Sequence, residues 1–277
     1  MIEVLAPGPY ASVQDLGRPG YAHLGVPRSG AADAPSLRLA NRLVGNAETL
    51  AGIELTLGRA RLRFLDAAWV ALAGAPLAGA DMGAPFRVPA GGELRLGAPV
   101  WGLRTYLAVR GGIAVEPVLG SRSTDSLSGL GPEPLRAGAL LPVGPPEGEI
   151  SVDLAPPPPP RAAVLRVLPG PRDDWFVPEA PAELCGRPYT VTPDSNRVGV
   201  RLRGPGLARA KEGELPSEGM VAGAVQVPPS GQPIVFLADH PPTGGYPVIA
   251  VVREADLPVV AQLRPGDEVR FTARPAI

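Results

Sequence analysis

The sequence predicts a mostly β protein with few short helices, arranged as two barrel-like lobes. Five segments alternate polar and apolar residues with a period of two, which is typical of strands with one buried face. Further segments are continuous apolar runs, and 37 prolines and 35 glycines supply turns between many short strands. A chain of 277 residues is long enough to bury a sizeable core in one large domain or two smaller ones.

In chain order, the alternating segments are residues 61–64, 93–96, 103–109, 197–203 and 268–272. The apolar runs predicted as strands are residues 69–73, 234–237 and 247–252. One helix interrupts this pattern near the N-terminus. Asp33 is placed to cap its start, apolar residues recur after it at helical spacing, and Gly45 with Asn46 ends it.

A change in composition divides the chain near its middle. Residues 156–160 are five consecutive prolines, which favour an extended, semi-rigid segment over a part of any core. We therefore predict an N-terminal β-barrel lobe over residues 1–144, a proline-rich linker over residues 145–161 and a C-terminal β-barrel lobe over residues 162–277.

Composition argues against several classes of function. With 26 basic and 27 acidic residues, the net charge is −1. The chain therefore lacks the excess of positive charge that is typical of proteins that bind nucleic acid or an anionic membrane. Lys211, the only lysine, lacks the glycine spacing of a P-loop. His23 and His240 are far apart and Cys185 is the only cysteine, so we expect neither a metal site nor an intrachain disulfide.

The same features bear on location. The single cysteine favours a reducing compartment. The chain shows neither a basic region followed by an apolar core, as in a signal peptide, nor an apolar run long enough to span a membrane. We expect a cytoplasmic protein that does not associate with membranes.

The most informative segment is residues 239–247, with the sequence DHPPTGGYP, which follows an apolar strand. The adjacent glycines Gly244 and Gly245 leave no side chain between backbone N–H groups and an approaching anion. Around them, Asp239, Thr243 and Tyr246 offer an acceptor, a hydroxyl and a phenol. An ordinary hairpin turn with glycine at its positive-φ positions is the alternative interpretation.

Other polar residues are candidates for binding an amide or a carboxylate. Arg104 and Tyr106 are two apart in a strand and so share a face, which either holds an anion or faces solvent. Arg122 follows a glycine turn and is surrounded by hydroxyls that can cap a helix. The remaining candidates are Gln14 and Arg18 in a loop rich in glycine and proline, Arg197 after Asn196, and Gln226 before the strand that leads to Asp239.

Several motifs together resemble one protein family over residues 3–272. They are QDLGRPGY, VPRSGAAD, ANRLVGN, RTYLAVRGG, LGSRSTD, ADHPPTGGYP and AQLRPGDEVRF. The family comprises the third subunit of bacterial ATP-dependent 5-oxoprolinase, subunit 2 of allophanate hydrolase and the carboxyltransferase part of urea amidolyase. The resemblance implies two cyclophilin-like β-barrel lobes.

The resemblance also implies a function. The chain would be a subunit of a 5-oxoprolinase that works with two partner subunits and uses ATP to open the cyclic amide of 5-oxo-L-proline, giving L-glutamate. ATP would be used by the complex without necessarily binding this chain. In this interpretation Asp239 is the general base or orients water, while Thr243, Tyr246, an arginine and the backbone of Gly244 and Gly245 hold the oxyanion.

Two other functions remain open from the sequence. One is carboxyl transfer from carboxybiotin to an amide nitrogen such as that of urea, in which case the chain is the transferase half, because it has no Met-Lys-Met biotinylation site. The other is a protein without catalytic activity that binds and antagonises a kinase inhibitor.

Overall fold

A computed structural model of the chain describes residues 1–151, 154–157, 159–160, 162–213 and 215–273. The chain divides into two compact units. The first contains residues 1–18, 29–125 and 129–160, and the second contains residues 19–28, 126–128 and 161–277. The described residues are mostly β, as predicted, and each unit has its own apolar core.

The first unit contains one helix and two antiparallel sheets. Its elements are β1 (Ile2–Ala6), β2 (Tyr10–Gln14), α1 (Ala34–Leu43), β3 (Gly52–Thr56), β4 (Arg61–Phe64), β5 (Ala68–Gly74), β6 (Pro85–Val88), β7 (Glu93–Arg95), β8 (Arg104–Val109) and β9 (Leu140–Leu141). One sheet has the order β2-β3-β8-β5-β6 and the other β7-β4-β1-β9. Both sheets contribute side chains to a single core. The strands predicted at residues 61–64, 93–96, 69–73 and 103–109 are confirmed as β4, β7, β5 and β8.

All six residues of β8 are buried, because this strand is covered on both faces. Leu107 and Val109 belong to the core between the sheets. Tyr106 and Ala108 belong instead to the cluster formed with helix α1. Since alternate residues of a strand share a face, Arg104 lies on the helix side together with Tyr106.

Helix α1 begins where the sequence predicts. The carboxylate of Asp33 accepts a hydrogen bond from the backbone N–H of Ser36 at 3.1 Å, which satisfies one of the unpaired donors of the first turn. The helix buries Leu37, Ala40 and Leu43 on one side. Gly45 follows with a φ of 70° in the left-handed region, which ends the helix.

The second unit is built around a closed seven-stranded barrel. Its elements are β10 (Val164–Pro169), α2 (Ala180–Gly186), β11 (Tyr189–Val191), β12 (Gly199–Arg203), β13 (Glu218–Gly219), β14 (Ala224–Gln226), β15 (Ile234–Phe236), β16 (Thr243–Gly244), β17 (Val248–Val252), α3 (Leu257–Ala261) and β18 (Glu268–Thr272). The barrel order is β10-β17-β14-β15-β12-β11-β18, and β13 pairs with β16 in a separate ribbon. A parallel pairing of β10 with β18 closes the barrel.

One predicted strand is shorter than expected at its start. Residues 197–203 alternate in the sequence, but β12 begins only at Gly199. Asn196 accepts hydrogen bonds from the backbone N–H groups of Val198 and Gly199 at 2.8 and 3.3 Å, which turns the chain before the strand. Arg197 is consequently buried outside the strand, whereas Arg201 and Arg203 are exposed on it.

The predicted linker, residues 145–161, contacts the first unit at two places. Arg110 donates to the carbonyl of Gly148 at 2.6 Å, and Ala155 donates to the carbonyl of Gly83 at 2.7 Å. Residues 152, 153, 158 and 161 lie outside the described residues, so the full extent of the linker stays a prediction. Among the described residues, no helix combines the length and the apolar composition needed to cross a membrane.

Candidate functional site

The glycine turn predicted as a ligand loop lies in the second unit, at β16. A Cβ atom on Gly244 would lie 2.8 Å from Nε2 of Gln226, so a side chain there would displace this amide. Gln226 is buried and donates from Nε2 to the carbonyl of Tyr246 at 3.2 Å. The side chains of Thr243 and Tyr246 are exposed. The structure therefore gathers Gln226 and residues 243–246, including Gly245, into one polar turn.

Asp239 and Arg197 form a buried ion pair in the same unit. Arg197 donates from Nη2 to Oδ1 and from Nε to Oδ2 of Asp239, both at 2.9 Å. Ser126 adds its backbone N–H at 3.0 Å and its hydroxyl at 2.6 Å to Oδ2. Asp239 is 0% exposed and Arg197 is 3% exposed, so the pair is excluded from water.

The surroundings of Asp239 determine its protonation. Burial opposes ionisation, but the charge of Arg197 and the hydrogen bonds from Arg197 and Ser126 outweigh it, so the pKa of Asp239 lies below its ordinary value. A carboxylate with a lowered pKa is a weak proton acceptor at neutral pH. This environment suits a group that positions Arg197 better than it suits a general base.

Ser126 is absent from the candidates that the sequence predicts. The run Ser121 to Asp125 is typical of a capping cluster, and Ser126 follows it directly. Its partner Asp239 is 113 positions away, so only the fold brings them together.

In the first unit, the Asp15 carboxylate binds the loop that contains the candidate Arg122. The carboxylate of Asp15 accepts from the hydroxyls of Ser121 and Ser123, both at 2.6 Å, and from the backbone N–H of Arg122 at 2.6 Å. Gly17 donates to it at 2.8 Å. Asp15 therefore braces two loops.

Gln14 and Arg18 lie close to Asp15 in the sequence and are almost completely buried. Gln14 donates from Nε2 to the carbonyl of Thr124 at 2.9 Å, and Arg18 donates to the carbonyls of Ser123 and Val118. Arg122 extends its side chain to the carbonyl of Val115 at 2.7 Å. These contacts hold loops, so the substrate-binding roles of Gln14, Arg18 and Arg122 stay predictions.

Arg104 and Tyr106 do share a face, and the anion beside them is a side chain of this chain. The carboxylate of Glu54 accepts from the Tyr106 hydroxyl at 2.7 Å and lies 3.4 Å from Nε of Arg104. Glu54 is 0% exposed. Sequence reasoning misses it, because Glu54 is directly opposite Tyr106 only once β3 pairs with β8.

The same network raises the pKa of Tyr106 well above its ordinary value. Burial is the largest cause, followed by the negative charges of Glu54 and Asp33. The phenol therefore stays protonated and donates to Glu54, while its oxygen accepts from the backbone N–H of Asp33 at 2.8 Å. Tyr106 thereby ties the cap of α1 to the sheet.

Three consecutive backbone N–H groups connect the two clusters of the first unit. Ala31 donates to the carbonyl of Asp15 at 2.9 Å, Ala32 to Glu54 at 3.0 Å and Asp33 to the Tyr106 hydroxyl. The segment VPRSGAAD, one of the motifs of the family resemblance, is thus fixed by buried acceptors at its C-terminal end.

The described residues contain no group of three or more His, Cys, Asp or Glu side chains placed to hold a metal ion. Lys211 forms an exposed ion pair with Asp174. His240 contacts the carbonyl of Pro241 through Nδ1 at 2.8 Å and stacks on Phe236.

These observations define a class of protein. It is a β protein of two units, and each unit has charged side chains buried among polar loops. The family model for the carboxyltransferase domain, subdomains A and B, matches residues 24–273. The chain belongs to this family, which confirms the resemblance inferred from its motifs.

Relatives with names and structures agree with this assignment. The 5-oxoprolinase C subunit of Escherichia coli is 40% identical over 98% of this chain and 90% of that protein. Urea amidolyase of Lachancea kluyveri is 37% identical over 97% of this chain but only 17% of that protein. A crystal structure of TTHA0988 superimposes with a TM-score of 0.88 at 42% identity, covering 98% of this chain and 55% of that one.

Proposed function

We propose that this chain is a subunit of an ATP-dependent 5-oxoprolinase complex that converts 5-oxo-L-proline to L-glutamate together with two partner subunits. The similarity to the 5-oxoprolinase C subunit of Escherichia coli over nearly the whole of both chains carries this proposal. A second relative of the same name, from Haemophilus influenzae, supports it with 34% identity over 99% of this chain.

The reaction requires activation of an unstrained amide. A lactam opens at neutral pH when its carbonyl oxygen is activated, for instance by phosphorylation, and when fixed donors hold the oxyanion that forms as water attacks. ATP would supply the phosphoryl group within the complex. The part of this chain is to bind the cyclic amide and to provide donors.

The glycine turn is the candidate place for these donors. Gly244 and Gly245 expose backbone, Gln226 buttresses the turn from below, and the Thr243 hydroxyl and Tyr246 phenol reach solvent from it. A turn supported by a buried amide keeps its donors in place without reorganisation, which is what stabilisation of a developing negative charge requires.

In this proposal Asp239 and Arg197 act as one unit. The carboxylate receives four hydrogen bonds from Arg197 and Ser126, so its lone pairs are engaged within the protein. We propose that Asp239 positions Arg197 and the start of the segment that leads to the glycine turn. Another group of the complex then acts as the general base in place of Asp239.

The test is a reconstitution with the two candidate partner subunits, 5-oxo-L-proline and ATP. Glutamate and phosphate are measured while each component is omitted in turn. Glutamate that forms only in the presence of this chain supports the proposal. An intact complex that makes no glutamate contradicts it.

Carboxyl transfer is a second candidate, favoured by the family model and by the urea amidolyase relatives. The chain spans a small part of those relatives, so a biotin carrier and a carboxylase would have to be supplied from outside these 277 residues. Adding carboxybiotin and urea to the same reconstitution separates the two candidates, since only carboxyl transfer forms N-carboxylated urea.

A further inference from the structure

Arg209 is an arginine of the second unit that no sequence pattern singles out. Its backbone forms an isolated β-bridge with Phe176. The neighbouring residues extend this pairing, because Val177 donates to the carbonyl of Ala208 at 3.2 Å and Ala210 donates to that of Trp175 at 2.9 Å. The backbone at Arg209 is therefore fixed on both sides, although it lies outside the barrel strands.

The guanidinium of Arg209 is half-buried. Its Nη2 donates to the carbonyl of Val227 at 2.6 Å, and its Cζ lies 5.8 Å from the centre of the Tyr246 ring. Its Nε is buried without a hydrogen-bond partner among the described residues. The aromatic ring and the carbonyl thus both contact the cation, and its Nε donor is unused among the described residues.

Three other partly or fully buried arginines of the unit are paired with a carboxylate, unlike Arg209. Arg166 pairs with Asp256, Arg172 with Glu218 and Arg197 with Asp239. In the described part of the chain, no carboxylate lies within ion-pair distance of Arg209. Apart from the Val227 carbonyl and the Tyr246 ring, no contact among the described residues compensates the lost hydration of this partly desolvated cation, so an anionic ligand would stabilise it.

The position of this cation is next to the glycine turn. Val227, whose carbonyl accepts from Arg209, donates its own N–H to the carbonyl of Pro247 at 3.0 Å. The preceding residue, Gln226, donates to the carbonyl of Tyr246 and lies under Gly244. Arg209, Gln226, Tyr246 and Gly244 are therefore joined by direct contacts within one unit.

We propose that Arg209 binds the carboxylate of the substrate at the glycine turn, beside the exposed ring of Tyr246. This inference rests on the proposed function and deepens it, because it assigns to Arg209 the recognition of the carboxylate that distinguishes this cyclic amide from a neutral one. A guanidinium recognises a carboxylate through parallel N–H donors. Free urea has no carboxylate, so urea itself would not need a counter-charge of this kind.

The experiment compares 5-oxo-L-proline with 2-pyrrolidinone, which has the same lactam ring without the carboxylate. Binding of each to the reconstituted complex is measured by ligand-observed NMR, and KM and kcat are measured for 5-oxo-L-proline. The variants are Arg209→Met, Arg209→Lys and, as a matched control, Arg203→Met, which removes an exposed arginine from β12. Unfolding midpoints show that each variant is folded.

We expect Arg209→Met to weaken binding of 5-oxo-L-proline and to raise KM by about 10- to 100-fold, as for loss of a hydrogen-bonded charge. Binding of 2-pyrrolidinone and kcat should change little, so the preference of the complex for the carboxylate-bearing ring disappears. Arg209→Lys should retain part of the preference, because it keeps the charge without the planar fork. Arg203→Met should behave like the wild type.

An unchanged preference in folded Arg209→Met overturns the inference, and so does an equal loss for both ligands. If the wild-type complex binds 5-oxo-L-proline through Arg209 but makes no glutamate, the site stands and the proposed function fails. If the wild-type complex shows no preference between the two rings, the carboxylate site fails whether or not glutamate is formed.

Discussion

Arg197 and Asp239 form a two-pronged ion pair from which water is excluded, with both donor–acceptor distances at 2.9 Å. Removal of one partner leaves the other charged and buried. Such a loss costs more than the pair contributes, because desolvation of the remaining charge is no longer compensated.

We therefore predict that Asp239→Asn lowers the free energy of unfolding by about 3 to 5 kcal/mol. The double variant Arg197→Met, Asp239→Leu, which removes both charges, should recover part of that loss. Urea unfolding of the wild type, Asp239→Asn and the double variant measures this.

Under conditions in which Asp239→Asn stays folded, we also expect its turnover to fall much more than its assembly into the complex. Unchanged turnover would remove Asp239 from the mechanism.

The same pair predicts a dependence on acid. Because the pKa of Asp239 is lowered in the folded chain, its contribution is present above the unfolded pKa of about 3.9 and is lost as the pH falls through the folded value. The difference in unfolding free energy between wild type and Asp239→Asn should narrow as the pH falls from about 3.9 through the folded pKa of Asp239. A difference that stays constant throughout acid titration would contradict the assigned linkage.

Tyr189 predicts the opposite dependence, at alkaline pH. Burial, with smaller effects from Glu183 and Cys185, raises its pKa to about 12, and its hydroxyl has no hydrogen-bond partner among the described residues. The unfolded chain ionises first, near a pH of about 10, so stability should fall as the pH rises from there towards the folded pKa.

Tyr189→Phe should remove part of this alkaline loss. It should also leave stability at neutral pH unchanged or raise it by up to about 1 kcal/mol, because a buried hydroxyl without a partner is removed. The ring keeps its edge-on contact with Phe271, whose centre is 5.8 Å away. A clear loss of stability at neutral pH would show that the hydroxyl is satisfied by bound water.

Glu54→Gln should destabilise the first unit by about 3 to 5 kcal/mol, because Arg104 remains buried and loses its counter-charge. The matched control is Glu48→Gln, which breaks an ion pair with Arg42 whose side chains are 38% and 51% exposed. That change should cost less than about 1 kcal/mol. Thermal unfolding of both variants distinguishes them, and equal losses would contradict the role assigned to Glu54.

Gly244→Ala should lower kcat/KM by about tenfold or more, because the new Cβ displaces the amide that supports the turn. Gly219→Ala is the control on the paired strand β13, where a Cβ meets nothing within 4 Å. Neither glycine has a positive φ, so the comparison isolates the steric effect. Similar activity in the two variants would argue against a supported turn at the active site.

Much of the fold follows from local pattern. The segment at residues 61–64 alternates and forms β4, and Asp33 caps α1 as its position predicts. These features depend on neighbours in sequence, so a single chain reveals them. The start of β12 differs from the predicted one because the turn at Asn196 uses a side chain that the alternating pattern does not register.

The candidate sites were less predictable, because partners in them are far apart in sequence. The pairing of Tyr106 and Arg104 with Glu54 depends on the register of β3 against β8, and the pairing of Ser126 with Asp239 spans 113 positions. The charged residues chosen from the sequence have partners within the chain that only the fold reveals, and their roles in substrate binding stay predictions.

The parallel pairing of β10 with β18 sets the order in which the second unit can mature during synthesis. Val164, Leu165 and Arg166 are translated well before Arg270, Phe271 and Thr272, which they pair with. Contacts so distant in sequence form slowly, since a long loop must close before they are made. The barrel therefore cannot close until β18 has left the ribosome, and until then β10 lacks one of its two neighbouring strands.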